Sequence, residues 1–344
     1  MLIKIKVKVR DKSIDSLRGL AVFIMIFASA SPIIFAENHS FWIRALSSFA
    51  APIFIFLVGF TLSKNQAEEA HNVSNKHLIF RSILSLFFAV IIDLFIKNTA
   101  PFVGYDILYL ISFLLIIAVF LKKSSPTILL ISATFILAVS FIFQFYFDYS
   151  NALTILPKED FSSSEIGLHL ENFIYKGRFP IFPWLAFFIL GLFGGKIKAR
   201  FGRLKIIFNL LFLFVFSVSL FYIFHQNKLI RDGFVELYYP ADLAFQINSI
   251  SFLLLIWLNI SFFKSKLFYP MQILGKVSFL IYVVHLTFIS YFLSFIFELN
   301  EKSIVGTLFI FYASIFALAF LIEYIKKNSN WKKLPYLVRF IFGS

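Results

Sequence analysis

The chain carries six histidines and no cysteine, so a nucleophile or base working at neutral pH must come from imidazoles, carboxylates or hydroxyls. His39 stands in FAENHSFW (35–42), a short polar interval between two long apolar runs. An imidazole whose unperturbed pKa is ~6.5 suits general-base work at such a mouth. No serine or aspartate at triad spacing accompanies it, and on spacing alone an exposed turn histidine is the plainer reading. His285, in LIYVVHL, falls in the middle of an apolar run, where a histidine is either hydrogen-bonded to a neighbouring helix or functional. Asp15 and Arg18, three residues apart, share a helix face. They either pair with each other at a helix N-terminus or form an anion site with Lys12 and Arg81. Arg44 follows the His39 turn, and Asp93 and Asp106 flank another turn, Asp106 also as a candidate helix cap. RFPIFPWLAFFILGLFGGK (178–196) places Pro180 and Pro183 where a helix begins and Trp184 where an interfacial aromatic belt would sit. His71, His77, His169 and His225 lie in polar loops. No HExxH or similar spacing is present, so no metal is expected. Neither a glycine-rich phosphate loop nor an aromatic–basic RNA-binding motif is found.

The elements that must position these residues are apolar helices. Hydrophobic residues make up 60% of the chain and charged residues 15%, with 51 Phe. A soluble domain is about half apolar and a quarter charged. A mean hydropathy of +0.87 points to a polytopic membrane protein. Spans of ~20 apolar residues are expected at ten places: 17–35, 43–62, 78–96, 105–121, 127–147, 181–195, 204–224, 241–263, 274–297 and 304–325. With the N-terminus cytoplasmic, 24 of the 32 Lys and Arg fall on the inner side, and 13 of the 18 Asp and Glu fall on the outer side. Every loop agrees with that orientation, so both termini are expected in the cytoplasm. The net charge of +14 then reads as topology and contact with anionic lipid, not as nucleic-acid binding. The basic start with Ala28-Ser29-Ala30 also fits a signal peptide, a reading the motif below displaces. SSSE (162–165) in a long outer loop is a candidate helix cap, Ser162 with Glu165. No internal repeat is visible. The expectation is one all-α domain over 1–344, a membrane helical bundle with a basic cytoplasmic segment 1–12 and a basic cytoplasmic tail 326–344.

RDKSIDSLRG (10–19), APIFIFLVGFTLS (51–63), GYDILYLISF (104–113), FPIFPWLAFFILGLFGGK (179–196) and LGKVSFLIYVVHL (274–286) occur in that order. Together they resemble the heparan-α-glucosaminide N-acetyltransferase catalytic family and its bacterial relatives, within a wider superfamily of transmembrane acyltransferases. The resemblance implies acetyl-CoA bound from the cytoplasmic side and an acetyl group passed to an amine or hydroxyl of an extracytoplasmic sugar or glycan. It implies a bacterial inner membrane, and it places a catalytic histidine just after the first helix. There HSFW (39–42) keeps the three-residue separation of His and Trp. On this reading His39 is the base or transient acetyl carrier, and His285 is a second catalytic candidate. Lys12, Asp15, Arg18 and Arg81 hold the donor phosphates, and Ser29, Arg44, Asp106, Arg178 and Trp184 surround the acceptor. Two positions depart from the family pattern: Ser29 stands where the family often has Asn, and Ser48 where it often has an acidic residue. A transporter or flippase of a lipid-linked or small substrate, and a non-catalytic relative, are the competing expectations. Neither acceptor identity nor oligomeric state is legible.

Overall fold

Apolar runs with little sidedness become helices throughout, because in lipid only a helix or a closed barrel satisfies its own backbone. The computed structural model describes residues 10–35, 40–67, 74–102, 104–146, 170–197, 204–225, 241–299, 303–329 and 331–343, with no β-strand among them. The helices are α1 (Lys12–Phe35), α2 (Phe41–Ser48), α3 (Ala50–Ala67), α4 (Asn75–Ile91), α5 (Ile107–Leu121), α6 (Pro126–Tyr146) and α7 (Ile181–Lys196). They continue with α8 (Leu204–His225), α9 (Leu243–Leu258), α10 (Tyr269–Lys276), α11 (Ser278–Phe288), α12 (Ser294–Leu299), α13 (Ile304–Asn328) and α14 (Tyr336–Ile341). All ten expected spans fall on helix. Among the described residues, seven stretches are long and apolar enough to cross a membrane, while α5, α7 and α9 are shorter. The chain is an all-α polytopic membrane bundle.

The centre is built from α1, α3 and α7. α3 lies along α7 at a seam of small residues: a Cβ on Gly59 would stand 2.2 Å from the Phe188 carbonyl oxygen, and one on Gly191 would stand 2.1 Å from that of Phe56. Such contacts let two helix backbones touch, the usual route to tight packing where lipid supplies no hydrophobic drive between helices. α1 meets α10 the same way, with a Cβ on Gly275 1.9 Å from the Asp15 carbonyl oxygen. α5 pairs with α4, α6 with α7, and α8 with α9 at the periphery. A second apolar cluster joins the other face of α1 to α10, α11 and α13. Trp184 is not in an interfacial belt. It is fully buried, with its ring 5.2 Å from Phe179 and 5.6 Å from Phe187, because α7 is a central helix with no lipid-facing first turn.

Candidate functional site

Two polar clusters stand at opposite ends of the bundle. The first gathers where α1 begins and α3 ends. Buried Asp15 accepts from Arg10 Nε at 2.9 Å on Oδ1 and 2.7 Å on Oδ2, and Arg18 stands 3.8 Å away one turn on. Arg18 also donates to Thr61 Oγ1 at 3.5 Å, which ties α1 to α3. Asp11 pairs with Lys64. Burial alone would raise the Asp11 carboxyl, but hydrogen bonds from Lys64 and Ser13 outweigh it and hold the pKa at about 2. Lys276 pairs with Glu323 at 2.6 Å. Arg81 lies within electrostatic reach of Arg18. Of the residues expected here, Asp15, Arg18 and Arg81 therefore come together. Lys12 is exposed, and no contact among the described residues joins it to them. Asp15 is occupied by arginines, so it sets their positions and is not available to a donor phosphate.

The second cluster surrounds an internal cavity of about 50 Å³. α1 contributes Ser29, the end of α2 Ser47, the start of α3 Ala50, the start of α5 Asp106 and Ile107, the entry to α7 Arg178 and Phe179, and α11 Tyr282 and His285. The volume is far below the roughly 300–1,000 Å³ of a ligand cleft, so the chamber fits a reacting group and not a whole sugar. His285 is completely buried. Its Nδ1 donates to the Ile281 carbonyl at 3.0 Å. In a neutral imidazole that leaves Nε2 as the acceptor, and Nε2 is buried with no hydrogen-bond partner among the described residues. Ser47 Oγ is in the same condition.

Asp106 is saturated. Its Oδ1 accepts from the Ile107 amide at 2.7 Å, which caps α5, and its Oδ2 accepts from Lys97 and, at 3.0 Å, from the Tyr282 hydroxyl. Lys97 also reaches Asp93 at 3.4 Å, and Asp93 accepts from the Tyr109 hydroxyl at 2.6 Å. The carboxylate therefore fixes Tyr282 one turn before His285 and does not itself serve as a free base.

The reason these groups meet lies in helix length. α5 has 15 residues and α7 has 16, which gives rises of ~22 and ~24 Å against a hydrocarbon core of ~30 Å. Their C-terminal ends adjoin the basic segments at Lys122 and Lys196, and helices of that length end short of the opposite face of such a core; the residues leading into them, Asp106–Ile107 and Arg178–Phe179, line the cavity. Helix N-termini carry partial positive charge. The Asp106 carboxylate already occupies the N-terminus of α5, which leaves Arg178 as the cationic side chain in the lining that suits an oxyanion formed inside the chamber. π-helical turns at Ile92–Lys97, Asn172–Lys176 and Ile289–Leu293 adjoin this site. Such turns re-aim side chains and concentrate at functional sites.

Ser29, Asp106, Arg178 and His285, each a candidate in the sequence, thus line one cavity. Arg44 is buried on α2 outside the lining, with its carbonyl accepting from Ser48 Oγ at 2.7 Å. Trp184 does not line the chamber. His39 lies outside the described residues, as do His71, His169 and the SSSE stretch. The sequence reading did not single out Ser47, Lys97 or Tyr282. Tyr282 had one signal, its position three residues before His285 on the same helical face. No group of three or more metal-ligating side chains occurs among the described residues.

A family model described as heparan-alpha-glucosaminide N-acetyltransferase, catalytic, matches residues 10–227. The match covers more than half of the 344 residues, and the chain belongs to that family. No curated protein matches it.

Proposed function

We propose that this family member is an integral membrane acyltransferase that takes an acetyl group from acetyl-CoA at its basic, cytoplasmic end. It delivers that group to an amino or hydroxyl group of a sugar on the far side. The observation that carries the reading is the chamber in which the His285 Nε2 lone pair is buried and unpartnered. A buried acceptor without a partner is costly and is accounted for when an acceptor N–H or O–H fills it.

In this scheme His285 removes the proton as the acceptor nitrogen or oxygen attacks the thioester carbonyl. The new oxyanion faces Arg178, and the thiolate of CoA leaves with the proton returned to it. The thioester must reach the chamber from the Arg18 end. Arg18 and Ser29 lie on the same helix, 11 residues apart, or ~16 Å, which an extended pantetheine arm can bridge. His39, just ahead of α2, is the rival base.

The test is transfer from labelled acetyl-CoA to a panel of amino sugars by purified protein in nanodiscs. His285→Ala should lose roughly 10²–10⁴-fold in turnover while acetyl-CoA binding survives. Full activity in folded His285→Ala with loss in His39→Ala would move the base to His39. Full activity in both would remove the imidazole mechanism.

A further inference from the structure

Four cations at the basic end have an acidic partner among the described residues: Arg10 and Arg18 share Asp15, Lys64 takes Asp11, and Lys276 takes Glu323. Arg81 and Arg339 do not. Among the described residues neither forms an ion pair, and the Nε of each is buried without a hydrogen-bond partner. The two come from distant parts of the chain, Arg81 from the second turn of α4 and Arg339 from α14 in the tail.

The tail is seated with some care. Lys326 donates to the carbonyls of Phe342 and Gly343. Phe340 packs on Phe279 at 4.8 Å, and Tyr336 packs on His77 at 5.2 Å and on Phe80 at 5.4 Å. Gly343 has φ +78, and a Cβ there would stand 1.8 Å from the Lys276 carbonyl oxygen, so only glycine fits. Docked in this way, the tail sets the Arg81 guanidinium over the Phe340 ring at 5.8 Å and the Arg339 guanidinium over the Tyr336 ring at 6.0 Å. The two rings are 6.3 Å apart. The result is a pair of guanidinia without an ion pair against an aromatic wall, with Arg81 within electrostatic reach of Arg18. Two half-buried guanidinia, each with its Nε enclosed and unpartnered, suit an anion with more than one acceptor oxygen, which a phosphate supplies in bidentate fashion.

We propose that the docked tail, 331–343, completes the donor site: Arg339 and Arg81 clasp the phosphorylated nucleotide end of acyl-CoA against Tyr336 and His77. The inference rests on the acyltransferase reading and extends it to a segment beyond the residues the family model matches. A nucleotide is favoured over a lipid headgroup because the cluster joins Arg18, and through α1 the chamber, and because the aromatic rings offer a surface on which a base can stack.

The experiment measures binding of acetyl-CoA and of 3′,5′-adenosine diphosphate to the full-length protein in detergent, with the melting temperature recorded for each variant. Arg339→Gln should weaken both ligands roughly 10-fold or more, and Arg339→Lys should recover part of the loss. Gly343→Val, remote from any phosphate, should weaken both by unseating the tail. Wild-type binding that is unchanged in Arg339→Gln overturns the proposal and leaves the acyltransferase reading standing. Tighter binding in Gly343→Val makes the tail a plug and overturns it as well. So does a site that responds to phosphatidylglycerol vesicles and not to 3′,5′-adenosine diphosphate. Wild-type protein that binds no acetyl-CoA removes both readings together.

Discussion

At the scale of single residues, Asp106 decides how the chamber is held. Three donors converge on it, from Ile107, Lys97 and Tyr282, so each substitution removes something different. Asp106→Ala strands Lys97 and uncaps α5. Breaking a part-buried pair from one side costs roughly 3 kcal/mol, and thermal unfolding in detergent should fall accordingly. Tyr282→Phe keeps the ring and loses one hydrogen bond. It should leave stability within about 1 kcal/mol and lower kcat while acetyl-CoA affinity holds, as expected of a group that positions His285. A stability loss as large as that of Asp106→Ala would make Tyr282 a structural strut instead. At the other end, Asp11 is held at about 2, below its value in an unfolded chain. Its contribution is therefore complete above pH ~4 and is lost as pH falls from ~4 towards ~2. Lys64→Ala should flatten that part of the pH–stability curve. The sequence made Asp106 visible as a cap and His285 as an intruder in an apolar run. It did not show that they share a chamber, because that depends on which helices fall short of the membrane.

At the scale of elements, the α3–α7 seam has no slack. Gly59 and Gly191 each face a backbone carbonyl at little over 2 Å from where a Cβ would be. Gly191→Ala must push the helices apart or twist them, at a cost of roughly 1–3 kcal/mol, and Gly59→Leu should cost more. Melting temperatures that match wild type for both would mean the helices slide freely at this contact. The seam also explains part of what the sequence could and could not convey. Hydropathy alone found the apolar stretches that are helices here, seven of them long enough to cross among the described residues, because lipid imposes a length and an apolar composition that a window can count. It could not place the breaks. The second expected span is two helices with a turn at Phe49, and the ninth begins after a break at Val277. The π turns next to Lys97, Arg178 and His285 were equally hidden. These interruptions are set by what the neighbouring helix presents, not by local composition, and they are where the chamber's side chains gain their aim.

At the scale of the whole molecule, the charge asymmetry must agree with the chemistry. On the proposed acyltransferase reading, the end that carries Arg18, Arg81 and Arg339 has to face the compartment that holds acetyl-CoA, and the chamber has to face the acceptor. The positive-inside distribution, with 24 of 32 basic residues on one side, predicts that the first of these is cytoplasmic. Reporter fusions after Tyr146 should therefore show phosphatase activity and no fluorescence, because that loop lies on the acidic side. Fusions after Lys196, within the basic run that closes α7, should show the reverse. The two positions bracket a single crossing by α7, a 16-residue helix shorter than the hydrocarbon core. If both report the same side, α7 is re-entrant, the chamber survives, and every later loop changes sides. If both report the side opposite to that expected, the phosphate-binding end faces away from the acetyl-CoA pool. The acyltransferase reading then fails at the level of topology, before any residue in the chamber is changed.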